Sequence, residues 1–77
     1  MKSEERLSPG MERAIEILYA KGQIAVGYEQ QDRLHPDTIA TLEKRGLVQR
    51  LGKRLLYWTL TPEGIAAHRR MQEEAAL

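Results

Sequence analysis

The chain has three prolines, and each stands where a helix can start: Ser8-Pro9, His35-Pro36 and Thr61-Pro62. Proline is tolerated in the first turn of a helix, where its missing N–H would have had no partner anyway. Ser8 and Thr61 are residues whose side-chain oxygen caps such a turn. An acid follows each proline within the first turn, Glu12, Asp37 and Glu63, where the helix dipole favours a negative charge. Three helices are therefore expected, and everything else must fit between them.

Apolar spacing and glycines set the extents. Met11, Ala14, Ile15 and Leu18 recur at helical spacing, with Ile17 beside them, and Lys21-Gly22 reads as a last-turn cation followed by a terminating glycine. The first helix is expected over 9–21. In the second, opened by His35-Pro36-Asp37, Ile39 and Leu42 share a side and Gly46 marks the end. The third is expected over 62–74, with Ile65, Ala66, Met71 and Ala75 as its apolar positions. That stripe is thinner than in the first helix, so the helix either docks shallowly or awaits a partner.

The intervals are short. Ile24 to Val26 is a β-leaning run closed by Gly27 and fits a brief strand. Tyr28 to Leu34 is polar and admits one helical turn or none. Val48–Leu51 and Arg54–Leu60 are strand candidates around a turn at Gly52-Lys53. Along the second of these, Leu56, Trp58 and Leu60 alternate onto one face, assigned to the core, and Leu55, Tyr57 and Thr59 onto the other.

Seventy-seven residues make one domain with a modest core. The composition, 42% hydrophobic and 30% charged, suits a folded soluble domain. There is no cysteine, which excludes disulfides and thiolate zinc sites and agrees with a reducing cytoplasm. No apolar run approaches the ~20 residues that span a bilayer, and the N-terminus lacks the apolar core of a secretory signal. A cytoplasmic protein with no membrane association is expected. Neither His35 nor His68 is spaced from carboxylates as a metal site requires, and both read as surface or helix-start positions. There is no nucleophile elbow and no phosphate-cradling glycine loop. Neither a catalytic role nor a cofactor is expected.

The net charge of +1 conceals a pattern. Residues 1–32 carry −2, residues 33–58 carry +4 and residues 59–77 carry −1. The central surplus suits a polyanionic partner.

Two stretches, TIATLEKRGLV and YWTLTPEG, resemble parts of a winged-helix domain: the end of a recognition helix turning through glycine into the wing, and the returning wing strand with the Leu-Thr-x-x-Gly turn of MarR-like and PadR-like regulators. The resemblance covers residues 9–64. It implies an α+β, mainly α fold: a small winged helix with a short three-stranded antiparallel sheet and a C-terminal helix. Residues 1–8 would be a flexible N-terminus and residues 65–77 a C-terminal helix serving as a dimerisation element. The chain departs from the pattern before the second helix, where only residues 27–35 stand in place of a full helix.

The resemblance also implies a function: a small DNA-binding transcriptional regulator of bacterial or phage type, reading double-stranded DNA with residues 36–45 and gripping it with a basic wing over 48–60. A helical projection places Asp37, Thr41 and Lys44 opposite Ile39 and Leu42, flanked by Thr38, Ala40 and Arg45. Thr38, Thr41, Lys44 and Arg45 are the expected contacts from the helix, and Arg50, Lys53 and Arg54 those from the wing. Two plainer readings stand beside these. The helix residues form a solvated face, with Asp37 serving the dipole, or the wing cations guard a strand edge against pairing. Trp58 is assigned to the core; Tyr57 reads as a partly covered surface residue, or else stacks on a base or packs against a partner. Specific binding by so small a module is expected to need a homodimer on two half-sites. The alternative function is a non-catalytic protein-interaction module on the same fold, such as an adaptor or a mobile-element inhibitor. Its basic face would then meet a protein partner.

Overall fold

The computed structural model describes residues 7–76. In order they form α1 (Pro9–Lys21), β1 (Ile24–Ala25), a 3-10 turn (Glu29–Asp32), α2 (Pro36–Lys44), β2 (Val48–Leu51), β3 (Tyr57–Leu60) and α3 (Pro62–Ala75). The architecture is α+β and mainly α. Its three-stranded antiparallel sheet has the order β1-β3-β2, and a C-terminal helix closes the chain.

Each proline starts a helix behind a capping side chain. Ser8 Oγ accepts the Met11 N–H at 3.2 Å, His35 Nδ1 accepts the Asp37 N–H at 3.1 Å, and Thr61 Oγ1 accepts the Gly64 N–H at 3.0 Å. Of the N-terminal stretch expected to be flexible, residues 1–6 lie outside the described residues. Leu7 packs against the core and Ser8 is the cap of α1.

The core is one cluster. Ile15, Leu18, Ile39 and Leu42 are its fully buried large side chains, joined by Met11, Ala14, Ile24, Leu34, Val48, Trp58, Leu60 and Ala67. In the sheet, Ile24 pairs with Trp58 and Val48 with Leu60. Directly paired residues share a face, so these four point inward together.

The ambiguous segment resolves as a single 3-10 turn. Gly27 enters it at φ 99° and Arg33 leaves it at φ 62°, a left-handed conformation. The Leu34 N–H then bonds the Glu29 carbonyl at 2.9 Å and Leu34 is buried. Pro36 disfavours helical backbone at the residue before it, so the turn cannot run on into α2.

Two expectations for the ribbon and two for the last helix need correction. The second strand begins at Tyr57 rather than Arg54, because Leu51 pairs with Tyr57 and residues 52–56 form the loop. The loop curls back on itself. Gly52 sits at φ 118°, and a Cβ there would lie 2.0 Å from the Leu55 carbonyl oxygen. Leu56 therefore lies outside the ladder and is 40% exposed instead of joining Trp58 and Leu60 in the core. In α3 the buried face is Gly64, Ala67 and His68, with Met71 packed against the core, while Ile65 is exposed. His68 is not a surface residue: it is buried and its ring stacks on Tyr19, centroids 3.9 Å apart. A search for apolar types overlooks a face built on glycine and histidine.

The face is set by Gly64. A Cβ at that position would meet the Leu47 carbonyl oxygen at 2.1 Å and Leu60 Cδ2 at 3.0 Å. Thr61, three residues before it, donates its hydroxyl to the Gly46 carbonyl at 2.6 Å and its N–H to the Leu47 carbonyl at 3.0 Å. The start of α3 thus closes directly on the turn that joins α2 to β2. Helix propensity alone would make Gly64→Ala stabilising by ~1 kcal/mol. The close approach reverses the sign, and a loss of about 1–3 kcal/mol is expected from forced displacement of packed backbone. Urea denaturation of the two proteins reads the sign directly.

Candidate nucleic-acid interface

The seven residues expected to contact DNA do not form one surface. Thr41, Lys44, Lys53 and Arg54 fit the expectation best. Lys44, Lys53 and Arg54 are exposed, and none of the three is in an ion pair among the described residues. Thr41 is half-buried and its hydroxyl donates to the Asp37 carbonyl at 2.9 Å. It keeps lone pairs for a donor but has already used its proton.

The other three point elsewhere. Thr38 lies against the start of α1, where its Oγ1 would be 3.9 Å from a Cβ at Gly10. It lines a small cleft with Pro9, Gly10, Arg13, Arg33 and His35. Arg45 borders a groove beside α3 together with Leu47, Arg69 and Arg70. Arg50 is engaged on the inner side of the sheet. It pairs with Trp58, so it shares the face of Val48, and its guanidinium lies 5.5 Å from the centre of the Trp58 ring. Its Nε is also 3.4 Å from Glu43 Oε2, on α2. The period-2 alternation from Val48 is the signal that places Arg50 inward. Charge clustering around the turn hid it.

Trp58 is the hub of this arrangement. Its indole N–H donates to Glu29 Oε2, and Glu29 Oε1 accepts the Gly27 N–H at 3.1 Å. A cation over the ring and a carboxylate at its N–H edge thus hold the indole. The 3-10 turn that carries Glu29 is tied in addition to the end of α1, by Lys21 Nζ at 2.6 Å from Asp32. Burial pushes the Glu29 carboxyl up. The bonds it accepts from the Trp58 indole, its own backbone N–H and the Gly27 N–H outweigh that, and it titrates below its ordinary value of 4.5. Sequence reasoning missed Glu29 and Glu43 as partners, since neither has a local spacing that marks it.

What remains for a ligand is the outer end of α2 and the loop after β2. The Glu43–Arg50 pair and the α2–β2 turn tie α2 to β2, which runs into that loop. Asp37 stands exposed at the start of the same helix, where a phosphate would meet a negative charge. The end of β2 and the loop also present apolar surface: Leu51 is 51% and Leu55 is 68% exposed.

No family model, curated protein or solved structure matches the chain.

The lowered Glu29 titration has a sign that experiment can check. A carboxylate depressed in the folded state stabilises it above the carboxyl's unfolded pKa, and that stability is lost as pH falls through the folded pKa. Glu29→Gln should therefore be less stable than the parent at neutral pH. The gap should shrink as pH drops below 4.5. Denaturant midpoints followed by Trp58 emission across that range report it, since Trp58 is the single tryptophan.

Proposed function

We propose that the protein is a small DNA-binding regulator of winged-helix type, acting in the cytoplasm, with α2 as recognition helix and residues 52–56 as the tip of the wing. One observation carries the reading. Lys44, on the outer face of α2, and Lys53 and Arg54, on the loop, are exposed and in no ion pair among the described residues. The Glu43–Arg50 bridge ties α2 to β2, the strand that leads into the loop. The order helix, short strand, turn, helix, hairpin, helix supports the same reading. Lys44 and Thr41 would face the major groove, and Lys53 and Arg54 would lie along phosphate, giving affinity with little sequence information. Specificity would come from a homodimer on paired half-sites.

A second reading is favoured by a different observation. Leu51, Leu55 and Leu56 are exposed on and beside the loop, and Asp37 is exposed at the start of α2. Apolar surface of this kind suits contact with a protein, and the acid suits phosphate poorly. On that reading the same face serves an adaptor or inhibitor, without catalysis.

Fluorescence anisotropy with a random duplex, titrated at several salt concentrations, separates the two. Under the DNA reading log affinity falls linearly with log salt, with a slope of about 0.9 per phosphate neutralised. Lys44→Glu with Arg54→Glu should flatten that slope by roughly two such units. Arg50→Gln should leave it unchanged, because Arg50 is already held by Glu43 and Trp58. No binding at low salt would refute the DNA reading and pass the face to a protein partner.

A further inference from the structure

A groove of about 650 Å³ runs beside α3, within the ~300–1,000 Å³ typical of ligand clefts. Its floor is apolar and made of Leu7, Leu47, Ala66 and Ala67. Two of these are alanines, so α3 offers no bulky side chain there and its backbone can be approached closely. Among the described residues the rim is charged and mostly positive: Arg45, Arg69 and Arg70 against Glu63. Arg69 and Arg70 are exposed and in no ion pair among the described residues. Lys44, Lys53 and Arg54 do not line it, so the site does not depend on the DNA reading.

We propose that this groove docks an acidic amphipathic segment of a partner protein. Apolar side chains of that segment would fill the floor, and its carboxylates would meet Arg69 and Arg70 in charge-assisted, two-pronged hydrogen bonds. Charge complementarity selects this occupant over two others. A DNA strand would satisfy the arginines, but it would leave the apolar floor uncovered and bring phosphate towards Glu63. A second copy docking by the same face would bring its own three rim arginines against these, and like charges at an interface cost affinity. An apolar segment without acids would leave Arg69 and Arg70 to be desolvated unpaired.

The test uses the whole chain and a labelled synthetic helical peptide. The peptide carries leucines spaced three and four residues apart and glutamates elsewhere. A matched peptide carries lysine in place of every glutamate. Anisotropy should show saturable binding of the glutamate peptide only. The double variant Arg69→Glu, Arg70→Glu should weaken it at least ~tenfold, the equivalent of about 1.4 kcal/mol. Ala66→Trp should do the same without changing any charge, by filling the floor. All three positions are exposed on α3, and circular dichroism of each variant verifies the fold. Chemical-shift changes in the parent should centre on Leu47, Ala66 and Ala67. The proposal is overturned by absence of saturable binding, by equal binding of the lysine peptide, or by indifference to both variants. It is also overturned if duplex DNA displaces the peptide, or if sedimentation finds a dimer that Ala66→Trp dissolves.

Discussion

The contact on which the rest of the molecule depends is the closure of the α3 start on the turn between α2 and β2. Thr61 makes three hydrogen bonds there: its hydroxyl caps α3 at Gly64 and donates to the Gly46 carbonyl, and its N–H reaches the Leu47 carbonyl. Gly64 must lack a side chain because the Leu47 carbonyl occupies the space where one would be. One short motif thus holds together the end of α2, the start of β2 and the start of α3. It also fixes the rotation of α3, which turns Ala67 and His68 inward and Ile65 outward. The same rotation leaves Ala66, Arg69 and Arg70 on the open side that borders the groove.

A second set of ties runs across the sheet, from α2 and β2 through β3 to the 3-10 turn. Trp58 is held between the Arg50 guanidinium and the Glu29 carboxylate, and Arg50 reaches on to Glu43 of α2. This network gives the brief 3-10 turn an anchorage that its length alone would not provide. Thr59 adds to it by donating its hydroxyl to the Gly22 carbonyl at 3.0 Å, beyond the end of α1. A residue engaged in this way is poorly placed to bind an outside phosphate, so the useful positive charge shifts from the strand to the loop tip and the last turn of α2.

The cations of the central segment, read together as one basic patch, separate in space into three roles. Arg50 braces the fold, Lys44, Lys53 and Arg54 remain open to solvent, and Arg45 joins Arg69 and Arg70 around an apolar floor. Two surfaces with different chemistry result: a loop-and-helix face with exposed cations, and a groove with an apolar floor and arginines on its rim. Neither surface draws on the residues of the other.

The three helices, two of their caps (Ser8 and Thr61) and their first two termini were legible in the sequence, because proline, capping residues and glycine act locally and leave local signatures. The apolar spacing of α1 and the inward positions of Trp58 and Leu60 were legible for the same reason. Tertiary structure alone decided four things. The length of the loop between β2 and β3 follows from strand register, which sets Leu51 opposite Tyr57. The buried face of α3 follows from a steric contact seventeen residues apart in the chain, Gly64 on Leu47. The inward pull on Arg50 needs both Trp58 and Glu43. The division of the arginines depends on which helix faces lie side by side. Local chemistry determined where elements begin and end. Which of their faces meet depended on packing between residues distant in sequence, and no spacing along the chain encodes that directly.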